Sequence, residues 1–182
     1  ITVSHVDGLI TSEVEQKLVL NANNLYLKGK IDVSQKGYTK HPEIIGDAGA
    51  SYGGKGAYRE GEASNPVYGS YLEPNDFGYG GGANLENRGG GAVKLNISGT
   101  LAFSGGGRIY SNGGYSSSGG SIWINADIIT GSGYVTANSG HHSYNPSGSG
   151  GRVALYFREN QGFDYESRMA ATPSGVPNDS CK

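Results

Sequence analysis

Gly91-Ala92-Val93-Lys94-Leu95 returns along the chain as Gly120-Ser121-Ile122-Trp123-Ile124 and again as Gly151-Arg152-Val153-Ala154-Leu155. The three stretches begin 29 and 31 residues apart, and in each a glycine precedes apolar residues that alternate with other residues. Alternation with a period of two predicts strands that bury one face. A repeat of roughly 20 to 50 residues made of short strands is typical of solenoids and propellers. The repeat therefore predicts an all-β fold of stacked, similar units.

Each unit continues with shorter strand signals, such as residues 99–103 and 108–112 after the first stretch. An earlier copy begins at Lys17-Leu18-Val19-Leu20. Between this copy and the next, residues 37–91 must be looped out as one long excursion rich in glycine and tyrosine. The chain thus predicts four related units interrupted once.

A parallel β-helix accounts for this repeat, because equivalent strands of successive coils pair at about 4.8 Å and their inward side chains form ladders. The predicted ladders are Leu18, Val93, Ile122 and Val153; Leu20, Leu95, Ile124 and Leu155; and Ile31, Ile109 and Val135, followed two residues on by Val33, Ser111 and Ala137. A propeller blade needs four antiparallel strands in about 40 residues, which this unit cannot hold. A β-sandwich would need hairpin turns, for which Asn112-Gly113 is the sole candidate.

The predicted organisation is a single β-helix domain over residues 1–157, in which residues 1–16 are a lead-in that caps the first coil. From Arg158 the sequence becomes polar and gains prolines, so residues 158–182 are predicted to be an irregular tail or linker.

Composition narrows the classes of function. Glycine contributes 33 of 182 residues without a Gly-X-Y period, which excludes collagen. The formal net charge of −2 gives no basic surface for nucleic acid. The sequence contains no apolar run of about 18 residues, so no membrane span is predicted.

Residues 53–157 resemble glycine-rich repeats of very large secreted and cell-surface proteins of aquatic bacteria and protists. The resemblance is carried by Gly-Gly-Gly-Ala-Val-Lys-Leu-Asn-Ile-Ser-Gly-Thr-Leu (89–101), Gly119-Gly120-Ser121-Ile122-Trp123-Ile124, Gly150-Gly151-Arg152-Val153-Ala154-Leu155-Tyr156-Phe157 and Tyr68-Gly69-Ser70-Tyr71-Leu72-Glu73-Pro74. It covers a little over half of the chain and implies a right-handed β-helix in an extracellular setting. It supplies no catalytic residues.

Carboxylates in the excursion are the candidate metal ligands. Glu60, Glu62 and Asp76 offer the hard oxygen atoms that Ca²⁺ prefers, although no calcium-loop pattern is present. The alternatives are a solvated loop that folds back and packs its tyrosines on the body of the fold, or an acid/base pair acting on a polysaccharide. If the excursion is a loop of the first kind, which packs its tyrosines on the body of the fold, no cofactor is required.

Aromatic residues are the candidate ligand contacts. Trp123 lies between the inward Ile122 and Ile124, so it should project outward from its strand. Tyr68, Tyr71 and Tyr79 belong to the excursion and would add rings able to stack on sugars or neighbouring proteins. The alternative is that these rings are covered by the excursion or by a partner.

Three further positions are candidates for covalent modification. Asn96 and Asn178 begin Asn-X-Ser sequons and are candidate glycosylation sites. Cys181 is the only cysteine, and its disulfide partner would lie outside this sequence.

The leading functional prediction is a non-catalytic, extracellular structural or adhesive β-helix module of a larger surface or filament-forming protein. Its partners would be neighbouring modules or copies of that protein. The alternative is a carbohydrate-binding module or a polysaccharide-processing lyase or hydrolase with a β-helix fold. Ice binding is disfavoured, because Thr100, Thr130 and Thr136 do not share one outward ladder.

Overall fold

The computed structural model describes residues 17–140 and 145–173, and this part of the chain is built of strands with very little helix. The strands are β1 (Lys17–Ala22), β2 (Leu25–Leu27), β3 (Lys30–Asp32), β4 (Ala92–Phe103), β5 (Arg108–Tyr110), β6 (Ser121–Gly131), β7 (Tyr134–Thr136), β8 (Arg152–Gln161) and β9 (Met169–Ala170). The helix α1 (Tyr165–Arg168) is a single turn. Among these residues no helix is both long enough and apolar enough to cross a membrane.

The strands form two parallel sheets. The first sheet has the order β1-β4-β6-β8, with β2 also paired to β4, and the second has the order β3-β5-β7-β9. The chain makes four passages, residues 17–32, 92–110, 121–136 and 152–170. Each passage adds one strand to the first sheet, or two in the case of β1 and β2, and then one strand to the second sheet. The predicted all-β class with parallel strands is confirmed.

The register of both sheets agrees with the predicted ladders. Leu18, Val93, Ile122 and Val153 are successive partners, as are Leu20, Leu95, Ile124 and Leu155, and as are Ile31, Ile109 and Val135. Except for Leu18, which is exposed at the end of its ladder, these side chains join Leu101, Phe103, Ile129 and Phe163 in one apolar core shared by the two sheets. The hydrophobic effect of this shared core holds the passages together.

Glycines at the corners let successive passages approach each other closely. A Cβ atom on Gly120 would overlap the carbonyl oxygen of Gly91, and one on Gly151 would overlap the carbonyl oxygen of Gly120. Only glycine fits where the backbones touch in this way. The repeated glycine before each long strand is therefore a packing requirement of the stack.

The excursion, residues 37–91, folds back onto the passages and packs its tyrosines, and parts of it are buried while its outer surface is exposed. Its backbone hydrogen-bonds to the third and fourth passages and their corners, for example Gly90 N to Ser118 O at 3.0 Å and Ser149 N to Ala50 O at 2.9 Å. Ala50 and Tyr52 are fully buried. The hydrophobic pattern of the sequence did not indicate this burial, because glycine-rich backbone packs closely without large apolar side chains.

The C-terminal boundary also differs from the prediction. The tail predicted to begin at Arg158 instead continues β8 to Gln161, and β9 then pairs with β7. Phe163 is buried and stacks on Phe103 at 5.0 Å between ring centroids. The outward residues of this segment are polar, so the hydrophobic pattern of the sequence did not reveal its strands. The predicted lead-in, residues 1–16, lies outside the described residues.

Candidate functional site

The outer face of the first sheet carries a ladder of asparagines on three adjacent passages. Asn21, Asn96 and Asn125 are direct partners in β1, β4 and β6. Asn96 Nδ2 donates to Asn21 Oδ1 at 2.7 Å, and Asn125 Nδ2 donates to Asn96 Oδ1 at 3.1 Å. Stacked amides of this kind stabilise parallel, in-register strands. The Asn96 side chain of the predicted sequon is thus engaged within the sheet.

Trp123 lies outward on β6, as predicted, and the sheet itself covers part of its ring. Lys94, its neighbour in β4, places Nζ 3.4 Å from the ring centroid. The indole Nε1 donates to Asn125 Oδ1 at 3.3 Å. This cation–π contact and hydrogen bond hold the ring in place. Trp123 is half-buried, so its surface is only partly open to a ligand.

The three candidate tyrosines lie in two different settings. Tyr68 and Tyr79 belong to an aromatic row within the excursion, with their ring centroids 5.5 Å apart. The row also contains Tyr38, Tyr52 and Phe77. Tyr71 is 73% exposed on the surface of the excursion. The row therefore functions as a small aromatic core, and only Tyr71 presents a largely open ring.

Polar side chains fasten this aromatic row to the first sheet. The Tyr52 hydroxyl lies 2.6 Å from Ser121 Oγ, and Ser121 Oγ in turn donates to the carbonyl oxygen of Asp76 at 2.5 Å. Arg152 donates to the carbonyl oxygen of Tyr68 at 2.8 Å, and its guanidinium lies 5.3 Å from the Tyr52 ring centroid. Ser121 and Arg152 begin β6 and β8, so the excursion is anchored at the start of two long strands.

Burial of two of these phenols predicts a response to alkali. Burial raises the pKa of Tyr52 and Tyr68 above the ordinary value of about 10. Their contribution to stability is therefore complete below about pH 10 and is lost as pH rises toward the folded-state pKa. We expect these phenols to ionise only as the protein unfolds, which phenolate absorbance and circular dichroism measured together would show.

Phenylalanine variants provide the control for this titration. Tyr68→Phe should move alkaline unfolding to higher pH, whereas Tyr71→Phe at the exposed position should leave it unchanged. Ionisation of all thirteen tyrosines before any change in circular dichroism would contradict the expectation.

The candidate metal ligands do not meet at one site. Glu62 uses its carboxylate on the excursion itself, accepting from Arg59 N at 3.0 Å and Asp47 N at 3.3 Å. Glu60 and Asp76 are exposed. In residues 17–140 and 145–173 no three histidine, cysteine or acidic side chains form a group able to hold a metal. Asn178 and Cys181 lie outside the described residues.

A groove that sequence reasoning missed runs across the first sheet. Its volume is about 510 Å³, and it is lined by residues 96–98, 125–127 and 156–158 from three successive passages. It lies where the pairing of β4 and β6 shifts register between Ile97 and Thr100, an irregularity that bends strands. Arg158 and Asp127 form a two-pronged ion pair at this groove, at 2.6 and 3.0 Å.

The sequence did contain one signal of the groove. Asn96 and Asn125 are separated by the same interval as Val93 and Ile122, so they occupy the same position in successive units.

Comparison of the chain with protein-family models, curated proteins and solved structures finds no match.

Proposed function

We propose that the chain is a right-handed parallel β-helix that serves as a structural module of a larger extracellular surface or filament-forming protein. The observation that carries the proposal is that, within residues 17–140 and 145–173, both sheets end together, with β1 and β3 at one end and β8 and β9 at the other. Inward side chains become exposed at these ends. Leu18 is 36% exposed, whereas its ladder partner Ile122 is fully buried. Such ends are suited to continuation by neighbouring coils.

General rules of chain topology support the β-helix. Each passage adds strands in parallel to the same two sheets, and connections between parallel strands of one sheet are nearly always right-handed. A second polar ladder follows the second sheet: Asn112 Oδ1 accepts from Asn138 N at 2.8 Å, and Asn138 Oδ1 accepts from Thr172 N at 3.0 Å. Repeated ladders on two faces are the pattern that stacked coils produce.

The use of charged side chains supports a structural role. Glu62 closes a turn, Arg152 fastens the excursion, and Asp164 caps α1 by accepting from the Ser167 backbone N–H at 3.2 Å. Each of these groups stabilises the fold through a contact of its own. The excursion and the ladders together make a rigid unit, as a rod or adhesive surface requires.

Sedimentation of the purified chain tests whether its ends pair. We expect the average mass to rise with protein concentration as copies join through their end strands. Leu18→Lys should hold the chain as a monomer, because it places a charge among the inward side chains of the first passage. Val67→Lys is the control, since Val67 is an exposed apolar residue of the excursion. Equal effects of the two variants would contradict pairing through the end strands.

A protein with two copies joined in tandem tests stacking within one chain. Stacked repeats gain stability from each interface, so the tandem protein should unfold at a higher temperature than the single copy. An unchanged midpoint, together with a monomeric single copy at every concentration, would refute the structural module.

A further inference from the structure

The groove across the first sheet is shallow and open, and its volume is that of a ligand site. Its volume of about 510 Å³ falls within the range of roughly 300 to 1,000 Å³ that is usual for such sites. Each of three passages contributes three residues at the same position of its strand. Because the passages are stacked at about 4.8 Å, the groove offers contacts at regular steps along the stack. A regular groove fits a chain-like ligand better than a compact one.

The amides of the groove have hydrogen-bonding capacity left for a ligand. Asn96 and Asn125 each use one Nδ2 proton on the asparagine of the preceding passage. An amide nitrogen carries two protons, so each residue retains a second donor, and each is held in place by the ladder. A sugar hydroxyl can accept a hydrogen bond from such a donor and can donate one of its own.

An aromatic side chain, Tyr156, occupies the next position of the same ladder. Tyr156 is the partner of Asn125 in β8 and is 43% exposed. Its hydroxyl donates to the carbonyl oxygen of Leu72 at 2.7 Å, so the excursion fixes the ring. A rigid, partly exposed ring packs against the C–H face of a sugar at little cost in entropy.

The charge of the groove indicates which glycans fit. Asp127 and Arg158 are the charged residues of its lining, and they neutralise each other through two hydrogen bonds. The lining therefore has no net charge to attract a uronic acid or a sulfate group.

From these contacts we propose that the groove binds a neutral, hydroxyl-rich glycan chain lying along the stack of passages. The proposal depends on the first sheet but not on pairing of the end strands, so it stands or falls separately from the structural role. It also moves the ligand contact from Trp123, whose ring is occupied by Lys94, to Asn125 and Tyr156.

Retention of the purified chain on insoluble glycans tests the proposal. The probes are cellulose, chitin and β-1,3-glucan as neutral glycans, with alginate gel as the anionic glycan. We expect retention on at least one neutral glycan that persists at high salt. Tyr156→Ala should weaken it about tenfold, in line with the loss of one aromatic contact. Asn125→Ala should weaken it as well.

Two further variants keep the result interpretable. Tyr156→Phe retains the ring and should retain most of the binding, while Tyr115→Ala removes an exposed ring outside the groove and should change nothing. The thermal midpoint of each variant shows whether it is folded. No retention on any neutral glycan, retention on alginate alone that salt abolishes, or equal binding by folded Tyr156→Ala would each overturn the proposal.

Discussion

Alanine at Gly120 is expected to destabilise the protein by about 3 kcal/mol or more, at the upper end of what overpacking usually costs. The added methyl group would overlap the backbone of Gly90 and Gly91 in the preceding passage. These backbone atoms cannot retreat easily, because Gly91 O accepts from Ser121 N at 3.0 Å and Gly120 N donates to Ser111 O at 2.8 Å. Moving these backbone atoms apart to relieve the overlap would break hydrogen bonds next to both sheets.

Denaturant unfolding followed by circular dichroism measures this loss, and Gly29→Ala is the matched control. A methyl group on Gly29 would meet nothing within 4 Å. Alanine there should change the free energy of unfolding by no more than about 1 kcal/mol. Equal stability of the two variants would show that the passages are not as closely stacked as their hydrogen bonds indicate.

The sheets were predictable because their signal repeats within the sequence. Val93, Ile122 and Val153 recur at nearly constant spacing in strands of period two, and these two constraints together define both the parallel pairing and its register. A register error of one residue would turn the whole apolar set outward, so burial leaves little freedom.

The packing of the excursion could not be predicted in the same way. Gly78, Gly90 and Ala50 bury backbone rather than large side chains, so no hydrophobic period marks them. The contacts of this layer depend on which distant segments meet, and glycine permits many such arrangements.

The candidate site was predictable only in part. The outward position of Trp123 was predicted from alternation along its strand, whereas the position of Asn125 beside Asn96 was not predicted, although the spacing of the repeat contained it. The pairing of Arg158 with Asp127 did not, because the sequence suggested that the last strand ends at Phe157. The groove depends on that pair, which requires the register of β6 and β8, and on the bend of the sheet, which arises in the pairing of β4 and β6.

Alanine at Tyr52 is expected to release the excursion and to cost about 3 to 5 kcal/mol, as for other large buried aromatic side chains. Tyr52 is fully buried, its ring centroid is 4.7 Å from that of Tyr68, and its hydroxyl bonds to Ser121 at the start of β6. Its removal leaves a cavity and takes one hydrogen-bond partner from the Ser121 hydroxyl. Denaturant unfolding gives the loss of stability, and hydrogen exchange shows whether the amides of residues 37–91 lose protection first.

Two comparisons separate the ring from its hydroxyl and from its location in the excursion. Tyr52→Phe keeps the packing and loses one hydrogen bond, so about 1 kcal/mol is expected. Tyr71→Ala removes a ring of the same kind from an exposed position and should be nearly neutral. If Tyr52→Ala proved as mild as Tyr71→Ala, the excursion would be an appendage on a self-sufficient stack. If it proved as severe as expected, the excursion would be part of the folding unit, since its buried backbone hydrogen-bonds to the corners of the stacked passages.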